Sequence, residues 1–217
     1  MIRKFRKISG NYIEKIPGQE RLAYSTSDST DFYDLIEWSR HGGYQGSVID
    51  FYDFETGEVW RPFEKKRNVV YGRPAFWEGS YFFLQGDYDE DRITLYRFRL
   101  GETPEKVTDL RASEVDLYNL EIMGTEVHIV SQNDIFRCYY PEEFSIPLTP
   151  QDTVCFLEDR KVYIERWVEE GWDEENDCAT DTYRFYHKVI VKDYSGKTLS
   201  EEIGSLHEAS DGTWWMA

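Results

Sequence analysis

The chain has 217 residues, of which 40% are hydrophobic and 31% are charged, a composition typical of globular rather than disordered proteins. Its formal net charge is -17, from 25 basic and 42 acidic residues, and a field of this sign repels phosphate backbones and anionic lipids. We therefore expect neither nucleic acid nor membrane as a partner. Aromatic residues make up 17% of the chain, which favours pleated β-structure.

Predicted hairpins of two kinds follow one another along the chain. The first kind turns near residues 17–18, 78–79, 124–125, 158–159 and 211–212. The second kind covers residues 51–63, 95–110, 135–148 and 189–203, with turns near residues 56–57, 100–101, 140–141 and 195–196. Apolar residues alternate around these turns, and Gly, Asp or Pro supplies the backbone angles that tight turns need. The hairpins combine into four repeats of four strands, followed by one more hairpin of the first kind at residues 204–217.

This repeat resembles the β-propeller fold, whose blades are four-stranded units of about 40–45 residues. The Gly-His and Trp-Asp blade signature and the Kelch double glycine are absent, so the resemblance is to the fold and names no family. It implies one all-β domain over residues 1–217, with about five short four-stranded blades. The last hairpin has only two strands, and residues 2–8 are expected to join it as a further strand and close the ring. An irregular β-sandwich or meander of aromatic hairpins is the alternative.

Helix is scarce in the predicted structure, and residues 33–39 and 104–112 are the only short candidates, both of which also fit strand or loop. Cys138, Cys155 and Cys178 have no metal-like spacing. Reduced, mostly structural cysteines of a cytoplasmic protein fit better than the alternative of one disulfide and a free thiol. No apolar segment follows the charged N-terminus as in a secretory signal, and none is long enough to span a membrane. We expect a cytoplasmic monomer.

The connections between the second and third strands of each repeat are acidic. They cover residues 27–46, 86–91, 132–134 and 168–181, and in a propeller they share one side of the molecule. The first and last are the longest connections of the chain, and each holds a tryptophan, which can stack on an Arg or Lys side chain. The predicted binding residues are Asp31, Asp34, Glu37, Trp38, Asp87, Asp89, Trp172, Asp173, Glu174 and Glu175. The alternative is a solvated acidic rim in which each tryptophan packs on its own blade.

No motif for catalysis or metal binding is present. Residues 87–91 are rich in carboxylates, as a calcium loop would be, but Arg92 replaces the glycine of loop position six and Phe98 replaces the glutamate of position twelve. The four histidines show no ligand spacing, and no nucleophile elbow, phosphate loop or dinucleotide fingerprint occurs. The sequence therefore predicts no catalytic residue, no metal site and no cofactor.

These patterns favour a non-catalytic interaction module that binds a cationic protein or peptide through its acidic connections. A related alternative is an inhibitory protein that masks a basic active site. Another is a glycan-binding or glycoside-hydrolase-like propeller, because five-bladed propellers include glycoside hydrolases with carboxylates around the central channel. Glu14, Glu121 and Glu208 lie in the predicted innermost strands and are the candidate carboxylates, with Trp77 and Tyr118 as candidate sugar-stacking aromatics.

Overall fold

The protein is an all-β molecule of five antiparallel sheets. The computed structural model describes residues 2–217, and of residues 39 and 40 it describes the backbone only. The strands of sheet 1 are β1 (Glu14–Lys15), β2 (Leu22–Thr26), β3 (Ile49–Asp53) and β4 (Val59–Trp60); those of sheet 2 are β5 (Val69–Tyr71), β6 (Ala75–Trp77), β7 (Ser80–Asp87), β8 (Arg92–Phe98) and β9 (Glu105–Arg111). Those of sheet 3 are β10 (Glu121–Met123), β11 (His128–Gln132), β12 (Ile135–Tyr140) and β13 (Phe144–Pro147). Those of sheet 4 are β14 (Asp152–Glu158), β15 (Lys161–Asp173), β16 (Cys178–Asp193) and β17 (Thr198–Ile203), and those of sheet 5 are β18 (Leu206–Glu208) and β19 (Trp214–Met216).

The predicted all-β fold class is confirmed, and the five sheets agree with the predicted number of about five units, counting the last hairpin. Sheets 1, 3 and 4 each have four strands, joined in chain order by antiparallel pairing. In sheet 2 the first strand is split into β5 and β6, which both pair with β7. None of these sheets closes into a barrel, and each is an up-and-down meander, which also fits the meander alternative.

Successive side chains of the middle strands point to opposite faces of their sheet and pack against the sheets on either side. In β7, Tyr81 and Phe83 lie in a buried cluster with residues of sheet 1, whereas Phe82 and Leu84 lie in a cluster with residues of sheet 3. This follows from the two-residue period of a strand, which sends successive side chains to opposite faces. A third buried cluster joins sheets 3 and 4. Strands buried on both faces explain the continuous apolar run at residues 81–84.

Sheet 5 connects the end of the series back to its beginning. The rings of Phe156 in β14 and Trp214 in β19 stack with centroids 4.7 Å apart. On the other side, the turn of sheet 5 approaches the first turn of sheet 1, where a methyl group on Gly212 would lie 3.2 Å from the Cα of Gly18. The first strands of all five sheets therefore border a common central space.

The prediction that residues 2–8 complete the last sheet is wrong. These residues form no strand, and they pack on sheet 1. The Phe5 ring lies 5.1 Å from that of Tyr52 and 5.4 Å from that of Phe54, and the Arg6 amide donates to the Gly57 carbonyl at 2.8 Å. The contacts of Phe5 with sheet 1 take the place of the predicted pairing with sheet 5. Within the described residues, sheet 5 therefore has two strands.

Of the two helix candidates, one is a helix and the other a strand. Residues Asp34–Arg40 form α1, whereas residues 104–112 contain the edge strand β9. In β9, Thr108 and Leu110 are partly buried and the other residues are exposed. No helix in the described part of the chain is long and apolar enough to cross a membrane. The three cysteines carry free thiols.

Candidate functional site: acidic connections, hairpin arm and axial cavity

The predicted binding residues near α1 divide into structural and exposed ones. The Asp31 carboxylate accepts the amides of Tyr33 and Asp34 at 2.9 and 3.0 Å, so it holds the first turn of the helix. The Asp34 carboxylate accepts the Asp31 amide at 3.3 Å in return. Glu37 is exposed, and Trp38 is 46% exposed with its ring edge-on to Tyr44 at 5.4 Å. Trp38 thus packs on Tyr44 of its own connection, and nearly half of its surface stays exposed.

The predicted residues of the β7–β8 turn support the neighbouring connection. Asp87 pairs with Lys66, and Asp89 accepts the side-chain amide of Asn68 at 2.7 Å. Asn68 also accepts the Tyr44 amide at 2.6 Å, which ties the turn to the connection that follows α1. The β7–β8 turn and the connection that follows α1 therefore lie beside each other. Asp87 and Asp89 already have partners in this region.

The prediction of a loop over residues 168–181 is wrong, because most of this segment is strand. Pairing of β15 with β14 ends at Arg166, and pairing of β16 with β17 ends at Lys188, yet β15 and β16 stay paired as far as Asp173 and Cys178. Residues 168–186, which we call the arm, therefore extend beyond their sheet. At about 3.3 Å per residue, the six residues from 168 to 173 project about 20 Å.

Opposite faces of the arm differ in character. On one face, Arg184 and Tyr186 both donate hydrogen bonds to the Glu170 carboxylate, so the polar side chains of this face bind one another. The other face carries a row of aromatic side chains: Trp167 at its base is 38% exposed, Phe185 is 63% exposed and Trp172 near the tip is 42% exposed. The Trp172 ring is edge-on to Tyr183 at 5.8 Å, and Tyr183 donates to Glu169 at 2.7 Å.

The tip of the arm holds the remaining predicted residues. The Asp173 carboxylate accepts the side-chain amide of Asn176 at 2.8 Å and the backbone amides of Asn176 and Glu175 at 3.1 and 3.0 Å. These hydrogen bonds, above all those from Asn176, lower the pKa of Asp173 and stabilise the turn. Glu174 and Glu175 are exposed. The arm carries seven carboxylates and one basic residue, Arg184. The contacts of its described residues are made within the arm and sheet 4, so the structure does not bring Trp172 onto the α1 surface of Trp38.

A second candidate site is the axial cavity, formed by two adjoining hollows of about 470 and 380 Å³. Tyr24, Arg73, Glu121 and Gln132 line both hollows and form the waist between them. The second hollow also touches residues of the first strand of every sheet: Lys15 in β1, Ala75 in β6, Met123 in β10, Thr153 in β14 and Glu208 in β18. The cavity therefore marks the axis around which the sheets are placed.

The three glutamates predicted for the innermost strands all line this cavity. Glu14 accepts the Tyr24 hydroxyl at 3.1 Å and an Arg73 Nη at 3.5 Å. Glu121 and Glu208 feel the Arg73 charge, but burial raises the pKa of both carboxyl groups. Glu208 is exposed at the cavity wall, and the protein around it still disfavours its charged form. A carboxyl group with a raised pKa keeps its proton to higher pH and can donate it.

Sequence reasoning missed Arg73 and the aromatic face of the arm. Arg73 precedes Pro74, which lacks an amide hydrogen and interrupts the first strand of sheet 2 between β5 and β6. An Arg-Pro pair that interrupts a predicted innermost strand was a signal in the sequence for a residue near the central axis. For the arm, Tyr183 and Phe185 alternate with other residues in a two-residue period, and this pattern could have predicted a strand.

Asp87, Asp89 and Asp91 in residues 87–91 have structural partners. Besides the contacts of Asp87 and Asp89, Asp91 accepts the Ser113 amide and hydroxyl at 2.7 and 2.8 Å. The described residues contain no group of three or more His, Cys, Asp or Glu side chains placed to hold a metal ion. His128 is held between the Glu126 carbonyl at 2.8 Å and the Tyr194 hydroxyl at 3.1 Å.

Comparison with known proteins identifies no family. No family model and no curated protein matches the sequence. Among solved structures, a chain from a structural and mechanistic study of two prolyl endopeptidases is similar over 92% of this chain, with 12% sequence identity and a TM-score of 0.43. This chain spans 36% of that chain's length. A likeness at this level carries no argument about function.

Proposed function

We propose that the protein is a non-catalytic interaction module that binds a cationic protein or peptide, with the arm as its main contact. The observation that supports this most is the projecting hairpin with three exposed aromatic side chains among seven carboxylates. Exposed aromatics supply contact area, and the excess of negative charge attracts and orients a basic partner. The acidic side chains near Trp38 form a second, smaller contact of the same sign.

The remaining parts of the proposal concern the assembly and its setting. A propeller is the arrangement that explains why five sheets pack in series around the axial cavity. We propose a monomer, because like charges on two arms repel each other. A cytoplasmic location is proposed from the three unpaired thiols.

Charge removal at the tip of the arm tests the proposal. The probe is a fluorescein-labelled, end-capped peptide of alternating lysine and valine, read by fluorescence polarisation at low and high salt. We expect Asp173→Asn, Glu174→Gln and Glu175→Gln together to weaken binding at least about fivefold at low salt and to flatten its salt dependence, because exposed charges are screened beyond about 10 Å at 0.1 M salt.

A matched variant controls for net charge. Glu78→Gln, Glu102→Gln and Asp159→Asn remove the same charge from exposed residues on turns at the other ends of their sheets. This triple variant should bind like the wild type. Equal weakening by both triple variants, or no binding of the lysine-valine peptide by the wild type, would remove the proposal.

A glycan-binding or glycoside-hydrolase role of the axial cavity is the second candidate function. It is favoured by one specific observation, the placement of Glu14, Glu121 and Glu208 around one cavity with Arg73. In this role a carboxyl group with a raised pKa serves as the proton donor to a leaving group. Turnover of a chromogenic glycoside that is lost in Glu121→Gln, with folding intact, supports it. A broad glycoside panel with no turnover and no binding counts against it.

A further inference from the structure

The geometry points to strand addition: an extended, cationic segment of the partner pairs with the backbone of β16 along the outer edge of the arm. This inference rests on the proposed function and specifies how the partner binds. It concerns the free edge of a strand, whose unpaired amide and carbonyl groups are a template for another chain.

The pairing register shows which backbone groups are unpaired. The Gly204 amide donates to the His187 carbonyl at 3.0 Å, so the backbone of His187 faces the β17 side. Backbone groups of alternate residues in an antiparallel strand point to the same edge. The amides and carbonyls of Phe185 and Tyr183 therefore point to that same side, where β17 has already ended at Ile203.

The opposite edge of the arm is a poorer template. The pairing of β15 is irregular between Glu170 and Trp172, and Gly171 has a positive φ of 75°. The Gly171 carbonyl also accepts the Thr180 hydroxyl at 2.7 Å. A bulge of this kind interrupts the row of backbone groups and twists the edge away from a flat partner. The regular edge of β16 is the one that can extend the sheet.

The side chains beside this edge indicate the chemistry of the occupant. In an added strand, every second side chain of the partner lies on the aromatic face of the arm, which is formed by Trp167, Phe185, Tyr183 and Trp172. These partner side chains should therefore be apolar. The other residues of the segment lie on the face of Glu170, Arg184 and Tyr186. The arm as a whole carries seven carboxylates against one basic residue, and this excess of negative charge favours basic side chains there. A second copy of this chain is a poor occupant because it brings an arm of the same negative charge.

N-methylated peptides test the backbone pairing without changing charge or side chains. Two versions of the lysine-valine peptide carry methyl groups on all lysine amides or on all valine amides, and each is titrated into the full-length protein. Since only one set of amides faces β16 in an added strand, we expect one version to lose at least about tenfold in affinity and the other to bind like the parent. With antiparallel pairing and valines over the aromatic face, the sensitive set is the valine amides.

The outcomes separate this inference from the proposed function. Equal effects of the two methylation patterns, with the parent peptide still bound in a charge-dependent way, overturn strand addition and leave the proposed function standing. No binding of the parent peptide overturns both. A protein that is dimeric in light scattering, and whose dimer is not displaced by the peptide, places a second copy on the edge and overturns the inference.

Discussion

Glu121 shows how a single partly buried carboxyl group connects stability with the axial cavity. It begins β10, it lines both hollows of the cavity, and Arg73 only partly offsets the burial that raises its pKa. A raised pKa means that the folded state binds this proton more tightly than the unfolded state does. Ionisation of Glu121 at neutral pH therefore costs folding free energy, whereas protonation of both states at low pH removes that cost.

Glu121→Gln is expected to raise the free energy of unfolding at pH 7, since glutamine carries no charge to bury. The gain should shrink as the pH falls and vanish below about pH 4, near the ordinary pKa of glutamate. Urea unfolding at a series of pH values measures it. Glu14→Gln is the contrasting variant, because Glu14 accepts hydrogen bonds from Tyr24 and Arg73 and its replacement should destabilise at pH 7. A loss of stability in Glu121→Gln that does not change with pH would contradict this account.

Gly46 is a backbone position that only glycine fits. Its φ is +87°, and a Cβ there would lie 1.9 Å from the Lys66 carbonyl oxygen. Gly46→Ala should lower the free energy of unfolding by at least about 2 kcal/mol, because the cost of a left-handed conformation is added to the cost of a clash with the backbone. Gly79→Ala is the matched control, with a φ of +73° and no atom within 4 Å of the added methyl group, and should cost about 1 kcal/mol. Denaturant midpoints that fall equally would show that the close approach is not real.

At the scale of elements, turn chemistry and alternation were sufficient to predict most hairpins. The run at residues 80–87 alternates between two buried clusters, and Glu78 and Gly79 both adopt the positive φ of a tight hairpin turn. The arm was missed because its carboxylates and Gly171 indicate a loop. Cross-strand pairs such as Arg184 with Glu170 keep it in strand form, and such pairs depend on a register that a sequence does not show.

The candidate site was predictable only in part. Composition located the acidic segments, and the placement of Glu14, Glu121 and Glu208 near one axis followed from strand order. The partners of Asp87 and Asp89 were not predictable, because Lys66 and Asn68 lie in a different connection, 21 residues away in sequence. The same holds for residues 2–8, whose anchor Phe5 fits a surface formed by Tyr52 and Phe54.

Amide exchange in the arm tests the edge geometry without any partner. The amides of Arg184 and Tyr186 face β15, opposite Glu170 and Val168, and should be protected. The amides of Tyr183 and Phe185 face solvent and should exchange at least about tenfold faster. Amide-resolved NMR exchange measures this pattern. Uniformly fast exchange across residues 168–186 would show that the arm is not a stable hairpin.

At the scale of the whole molecule, five sheets in series provide a rigid frame with two separate features. The buried clusters between sheets 1 and 2, 2 and 3, and 3 and 4 fix the sheets, and the axial cavity lies where their first strands meet. The arm projects from sheet 4 and adds nothing to these clusters. Its length, exposed aromatics and charge are therefore explained by a partner better than by stability of the fold.

Hydrogen exchange of the full-length protein with and without the lysine-valine peptide, read by mass spectrometry, tests the proposed function most directly. The proposal predicts that bound peptide slows exchange in residues 168–186, with little change in the first strands around the axial cavity. Slower exchange confined to those first strands, or unchanged exchange in the arm at saturating peptide, would contradict it.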